Sequence, residues 1–167
     1  TTLFRSNLSQ SYVQDFSEGL PGGPQGWEYS STNEGQITSV SGRLRMDDTI
    51  DNGVYSQNEA ILHVDLARQS NVQLSGSHWN LSDEAHPGDG IAISSNGVTW
   101  HPVAAFKESA SGPFQVDLDA AAASAGLPYT TDFRIKFQQY DNYSAPEDGR
   151  EWDDILVEVV LPLSGRR

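Results

Sequence analysis

The sequence predicts an all-β protein, an antiparallel β-sandwich of about ten strands with one short helix near residues 119–125. Two observations support this prediction. Short segments in which apolar and polar residues alternate recur along the chain, and segments rich in Gly, Pro, Asn and Asp separate them. No internal repeat or interdomain linker interrupts the pattern. We therefore expect one domain over residues 11–161, with a lead-in at 1–10 and a tail at 162–167.

The elements follow from this alternation, because every second side chain of a strand faces the core. Phe133, Ile135 and Phe137, for example, are predicted to point inward, with polar residues between them. Asp119 is the predicted cap of the helix, which Gly126 ends. The predicted strands and hairpin lie at residues 12–16, 27–29, 36–40, 43–46, 58–66, 71–79, 88–106, 114–118, 133–140 and 153–161.

The segment 88–106 is predicted to be a β-hairpin that sets the register of its neighbours. Its centre, Asn96-Gly97, is a strong signal for a two-residue type I′ turn, which requires a positive φ at both residues. Trp100 and Val103 are expected to open the return strand. We interpret Trp100 as a plug at the core and expect functional residues at the other end of the hairpin, in the loop before it.

Composition and charge exclude several classes of function. The chain of 167 residues has 10 basic and 23 acidic side chains, a net charge of −13, so it repels nucleic acids and anionic membranes. It has no cysteine, which excludes disulfides and thiolate metal sites. No run of about 18 apolar residues is present, so we expect no membrane insertion. We expect the chain to be a mature or excised part of a larger multidomain protein.

Several segments resemble parts of known secreted modules. Residues 15–19 with Gly26-Trp27, and residues 152–157, resemble the opening and closing strands of MAM-type, concanavalin A-like jelly rolls. Residues 88–94 and 133–143 are similar to modules of large secreted bacterial proteins, and residues 94–100 resemble the Asp-box hairpin. The resemblance implies a jelly roll that serves as a non-catalytic accessory module of a secreted or cell-surface bacterial protein. The animal MAM disulfides are missing, so their role in cell–cell adhesion is not carried over.

The resemblance also implies a structural calcium ion. In such jelly rolls the first and last strands lie together, and an acidic residue from each shares the metal. Carboxylate oxygens suit calcium, which prefers several hard oxygen ligands. The alternative is that these acids cap backbone N–H groups at strand ends and turns. The candidate metal ligands are Asp15, Glu18, Asp48, Asp153 and Asp154.

Two loops carry the residue types of a sugar-binding site. Aromatic faces pack against the C–H surfaces of sugars, and carboxylates and amides bind their hydroxyls. If the strands before the two loops run the same way, the loops share one end of the sandwich. The alternative is that the aromatic residues fill the edge of the core and the polar ones are simply solvated. The candidate ligand-binding residues are Trp79, Asp83, Glu84, His86, Asp89, Tyr140, Asn142 and Tyr143.

The sequence gives no support for an enzyme. Residues 151–153 resemble the start of the Glu-x-Asp-x-x-Glu strand of laminarinase-like glycosidases, but Leu156 stands where the third acid belongs. We therefore predict a calcium-stabilised module that binds a neutral glycan. The alternative is a protein-interaction, surface-adhesion or sorting domain without a sugar site. The expected partner is a glycan or a surface protein.

Overall fold

The computed structural model describes residues 11–22, 26–106, 111–145 and 148–160. Within these ranges the chain forms eleven strands and one α-helix, so the predicted all-β class is confirmed. The elements are β1 (Ser11–Gln14), β2 (Trp27–Ser31), β3 (Gly35–Val40), β4 (Arg43–Asp48), β5 (Ser56–Val64), β6 (Val72–Asn80), β7 (Gly90–Ser94), β8 (His101–Ala105), β9 (Gly112–Asp117), α1 (Leu118–Ala125), β10 (Phe133–Asp141) and β11 (Arg150–Val159).

The strands form two antiparallel sheets packed as a sandwich. Sheet I has the order β3-β4-β11-β6-β9, with β1 pairing on β11, and sheet II has the order β2-β5-β10-β7-β8. The first and last strands pair directly, with Tyr12 opposite Val157, which confirms the expectation that they lie together. No helix of the described residues has the length and hydrophobicity that a membrane span requires.

The core lies between the two sheets and follows the predicted alternation. On β10, Phe133, Ile135 and Phe137 are fully buried, while the residues between them face outward. Trp152 of β11 meets the ring of Phe137 edge-on at 6.3 Å, and Trp27 of β2 stacks on the same ring at 5.8 Å. The large aromatic side chains of both sheets therefore meet in one core, and each sheet keeps one face toward solvent.

The hairpin of residues 88–106 forms, but its turn differs from the prediction. Strands β7 and β8 pair antiparallel across six connecting residues, and of Asn96-Gly97 only Gly97 has a positive φ, of 71°. The carboxamide of Asn96 instead accepts hydrogen bonds from the amides of Val98 and Thr99, at 2.8 and 2.9 Å. The prediction of a type I′ turn is therefore wrong. The Asn96 side chain, rather than a two-residue backbone turn, accepts the hydrogen bonds of the loop's backbone amides.

The helix is capped by a different aspartate from the one predicted. Asp117 is the N-cap, and its carboxylate accepts from the amide of Ala120 at 2.9 Å. Asp119 lies in the first turn and accepts from the amides of Asn71 and Val72, so it ties the helix to the start of β6. Gly126 ends the helix with a φ of 66°, as predicted.

Candidate functional site

The outward face of sheet II carries a row of polar side chains. Because side chains alternate along a strand, the core positions of β10 leave Lys136, Gln138 and Tyr140 on the other face. The neighbouring strand β5 places Glu59 opposite Gln138 and Gln57 opposite Tyr140. These side chains come from two interior strands of the sheet, so the backbone beneath them is paired on both sides.

A groove of about 180 Å³ runs beside this row, toward the β7–β8 hairpin. Trp100, Pro102 and Ala104 form its apolar wall, and Lys136 and Gln138 lie on its polar side. Trp100 is therefore not the core plug that the sequence suggested. Its ring lies on the outward face of sheet II, where the Lys136 ammonium is 4.5 Å from the ring centroid.

Hydrogen bonds hold the polar side chains of the groove in place. The Lys136 ammonium donates to Glu59 at 2.5 Å, and the Gln57 amide donates to the same carboxylate at 2.7 Å. The Gln138 amide donates to the carbonyl oxygen of Gly88 at 2.6 Å. An aromatic wall beside fixed amide, carboxylate and ammonium groups can recognise a ligand with apolar faces and hydroxyl edges.

Aromatic side chains continue this surface from the groove toward one end of the sandwich. The Tyr140 ring packs against Gly88, where an added Cβ would collide with it. The ring of His86 stacks on Tyr140 at a centroid distance of 4.1 Å, and Tyr55 lies 5.9 Å beyond it. Tyr55 and Tyr143 are each nearly half exposed, at 46% and 44%.

The structure divides the predicted ligand-binding residues between one end of the sandwich and the outward face of sheet I. His86 and Tyr140 lie together at the aromatic surface, and Tyr143 is exposed near Gly53 at the same end. Trp79 is remote from them, on the outward face of sheet I, where the Arg43 guanidinium lies 3.7 Å from its ring centroid.

The polar members of that predicted set serve mainly as internal links. Asp83 and Asp89 are buried, and Glu84 accepts from the hydroxyl of Tyr55 at 2.6 Å. The backbone carbonyl of Asn142 accepts from the amide of Gly53. A role in ligand binding stays a prediction for each of them.

A buried arginine organises the end of the sandwich next to this aromatic surface. Arg150, the first residue of β11, is fully buried, and its guanidinium contacts the carboxylates of Asp83 and Asp89. Asp89 in turn accepts from the amides of His86 and Tyr140, both at 2.8 Å. These contacts fasten the loop after β6 to β10, and the same loop forms part of the groove wall.

Three carboxylates converge beside Arg150. One oxygen each from Asp83, Glu84 and Asp148 lies within 4.8 Å of the other two, and the remaining described residues hold no second group of this kind. Burial, together with the charges of Asp141 and Asp83, raises the pKa of Asp148. Burial also raises the pKa of Asp83, although the charge of Arg150 opposes this shift.

Further buried acids lie next to this group, at the ends of β4 and β10. Neither oxygen of Asp48 accepts a well-aligned hydrogen bond, and the same holds for Oδ1 of Asp47. Burial is the main cause that raises the pKa of Asp48, and the charge of Asp141 adds to it. The Asp141 carboxylate accepts from Gln139 at 2.6 Å and from the amide of Asn142 at 2.7 Å.

The predicted metal ligands do not form one group. Asp15 follows β1 and approaches Asp153 and Asp154 on β11. The pKa of Asp153 is raised mainly by burial, and the charges of Asp154 and Asp15 add to this shift. Glu18 is exposed in the turn after β1. Asp48 lies at the opposite end of the sheet, on the strand end beside Asp141. The calcium ion itself stays a prediction.

Sequence reasoning missed several residues of these two sites. Asp148 and Arg150 lie in the segment 141–150, which the sequence predicts as a loop and in which no motif indicates a binding role for them. Lys136 was predicted to face outward from its alternation, but nothing in the sequence placed Trp100 beside it. The cross-strand register of β10 and β7, with Lys136 opposite Ala92, brings the hairpin to this face.

Comparison with known proteins shows a shared fold. No protein-family model matches the sequence, and no curated protein matches it either. The structure is similar to a family 29 carbohydrate-binding module from Piromyces equi, with a TM-score of 0.54, 11% identity, and coverage of 95% of this chain and 96% of that one.

A second solved structure is similar over nearly the same length. It is the family 11 carbohydrate-binding module of a cellulosomal cellulase of Clostridium thermocellum, with a TM-score of 0.55 and 15% identity. The match covers 96% of this chain and all of that one. The fold is therefore the β-sandwich that both modules have.

Proposed function

We propose that this chain is a non-catalytic module that binds a neutral glycan in the groove on the outward face of sheet II. The observation that carries the proposal is the position of Trp100, whose ring forms one wall of the groove while Lys136 and Gln138 form the other. A sugar ring packed on Trp100 would present its hydroxyls to these polar groups.

The charge of the site and of the chain favours a neutral ligand. The carboxylate of Glu59 already neutralises Lys136, at 2.5 Å, so the described lining of the groove offers no unpaired cation to an acidic sugar. The net charge of −13 also repels anionic polymers. Two solved proteins with this fold are named as carbohydrate-binding modules, which supports a carbohydrate as the ligand.

We also propose the wider setting given by the sequence, a secreted or cell-surface bacterial protein with further domains. The MAM-like and Asp-box resemblances belong to that proposal. The second candidate function is a protein-interaction or adhesion domain without a sugar site. It is favoured by the exposed side chains of Ile50, Val54 and Tyr55 near the aromatic surface, which would suit an apolar protein partner.

The test measures binding to a panel of neutral soluble polysaccharides by affinity electrophoresis, followed by calorimetry with oligosaccharides of the best ligand. Trp100→Ala is expected to weaken binding roughly 30-fold, because truncation of a central aromatic contact costs about 2 kcal/mol. Trp79→Ala is the matched control, since this tryptophan lies on the outward face of the other sheet and should leave the affinity unchanged.

Three results would contradict this assignment. If the unmodified protein binds no neutral polysaccharide, the protein-interaction function is favoured. If Trp79→Ala abolishes binding while Trp100→Ala does not, the glycan site lies on sheet I. If His86→Ala and Tyr143→Ala weaken binding more than Trp100→Ala does, the loops at the end of the sandwich, and not the groove, hold the ligand.

A further inference from the structure

We propose that Asp83, Glu84 and Asp148 bind a calcium ion at the end of the sandwich where Arg150 is buried. This site differs from the calcium site inferred from the sequence, and it does not depend on the glycan proposal. Its ligands come from two chain segments, the loop after β6 and the residues just before β11. A shared ion would therefore join the loop that follows β6 to the segment that leads into β11, the neighbour of β6 in sheet I.

The geometry of the three carboxylates fits a single ion. An oxygen from each lies within 4.8 Å of the others, close enough for all three to reach a cation placed between them. Calcium–oxygen distances are about 2.3–2.6 Å, so two ligands of one ion are separated by less than about 5.2 Å. The three side chains are therefore already close enough together to share one calcium ion.

An independent observation at Asp83 supports a bound cation. This residue is only 1% exposed, and the Arg150 guanidinium contacts its Oδ2, whereas its Oδ1 has no hydrogen-bond donor. The neighbouring Asn80 also has a buried side-chain oxygen without a donor, while its amide nitrogen donates to the carbonyl of Asp83 at 2.8 Å. Buried oxygens without donors are costly, and a cation would satisfy them.

The local charges also call for a cation. The guanidinium of Arg150 contacts Asp83 and Asp89, whereas Glu84 accepts from the Tyr55 hydroxyl and Asp148 from the Gly149 amide, which are uncharged donors. The charges of Asp141 and Asp83 act on Asp148, which is itself 3% exposed. Carboxylates this close together cannot all be ionised at low cost unless positive charge lies between them.

The donor set selects calcium from the common metal ions. All three ligands are carboxylates, and Asn80 adds a side-chain oxygen next to Asp83. Oxygen ligands suit hard cations rather than zinc or copper. His86 is close, but its Nδ1 already accepts from the amide of Gly88 at 3.1 Å. Magnesium retains several waters and requires near-octahedral geometry, whereas calcium accepts irregular sites built from loops.

The first measurement is the melting temperature of the full chain after treatment with chelator, with and without added calcium. Saturating calcium is expected to raise the melting temperature by roughly 5–10 °C, which corresponds to a ligand present at about 100 times its dissociation constant. Terbium luminescence gives a second readout, since the Tyr55 hydroxyl lies 2.6 Å from Glu84 and can sensitise an ion bound there. Calcium should displace the terbium.

Two variants and a matched control locate the ion. Asp148→Asn should abolish the calcium-dependent rise in melting temperature, and Glu84→Gln, which changes a less buried ligand, should weaken calcium binding at least tenfold. Asp153→Asn, in the group predicted from the sequence, should keep the full response. The proposal is overturned if calcium changes neither readout, if Asp148→Asn and Glu84→Gln respond like the unmodified chain, or if Asp153→Asn alone loses the response. If calcium does not change the melting temperature and Asp148→Asn raises it, the carboxyl groups share a proton instead of binding an ion, and the proposal is overturned.

Discussion

The two ends of the sandwich use the same residue type, aspartate, in opposite ways. At the helix end, formed by the start of β6, α1 and Asp132, the acids accept hydrogen bonds from donors that the fold supplies. Asp119 accepts from two amides and from Tyr129, and Asp132 accepts from His63 and Arg134. At the acidic end, formed by residues 47–48, 80–89, 141–145 and 148–150, Asp48 and Asp83 are more deeply buried. Neither oxygen of Asp48 accepts a well-aligned hydrogen bond, nor does Oδ1 of Asp83, and Arg150 contacts only Oδ2 of Asp83.

The pKa values of these acids follow the same division. Partial burial favours a higher pKa for Asp119 and Asp132, but their hydrogen bonds outweigh it and the pKa of each is lowered. At the acidic end burial dominates, and the pKa values of Asp48, Asp83 and Asp148 are raised. The helix end therefore stabilises its ionised carboxylates with protein groups, whereas the acidic end disfavours the ionised form of Asp48, Asp83 and Asp148.

The largest expected effect comes from removing Arg150, the buried arginine of the acidic end. Arg150→Met should lower the free energy of unfolding by about 3–5 kcal/mol, because it leaves Asp83 and Asp89 buried without their partner. Denaturation by urea, monitored by tryptophan fluorescence, measures this loss.

The matched change at the helix end is Arg134→Met. Its ion pair with Asp132, at 2.9 Å, is about one-quarter to one-third exposed, so the cost should stay below about 1 kcal/mol. Equal costs for the two variants would show that the ends do not differ in the way we describe.

The sequence predicted the fold better than the site, for a physical reason. Alternation along a strand identifies which face is buried, so the core of β10 and the outward position of Lys136 followed directly from the sequence. The site depends on which strands are neighbours. The register that brings Trp100 to Lys136, and the end at which Asp83 meets Asp148, are set by pairings between residues far apart in the chain.

The predicted metal group shows the same limit. Pairing of the first and last strands did bring Asp15 to Asp153, but strand β4 carries Asp48 away from them, to the other end of sheet I. Burial, which separates a metal ligand from a solvated acid, is not visible in a single sequence.

The next effect couples the acidic end to the groove. Removal of calcium should weaken glycan binding by roughly fivefold, a coupling of about 1 kcal/mol. The physical reason is that Asp89 connects Arg150 to the amides of His86 and Tyr140, so loosening of this loop disturbs the groove wall. Calorimetry with the best oligosaccharide, with and without chelator, measures the change.

This coupling has a control in the opposite direction. Trp100→Ala should leave calcium binding unchanged, because its ring lies on the outward face and contacts none of the three carboxylates. If the protein binds calcium but its glycan affinity is the same with and without chelator, the two sites are independent and the predicted coupling is wrong.

A further small effect is expected at the helix end. Asp119→Ala should lower the free energy of unfolding by about 1 kcal/mol at pH 7, because the amides of Asn71 and Val72 lose their acceptor. Since the pKa of Asp119 is lowered from 3.8 on folding, its contribution is full above that unfolded value and is lost as the pH falls through the folded pKa. The free energies of unfolding of the unmodified protein and of Asp119→Ala, measured by urea denaturation, should therefore converge at the lowest pH at which both fold. Glu158→Ala on the outward face of β11 is the control, and a cost for Asp119→Ala that is independent of pH would show that its carboxylate charge does not contribute.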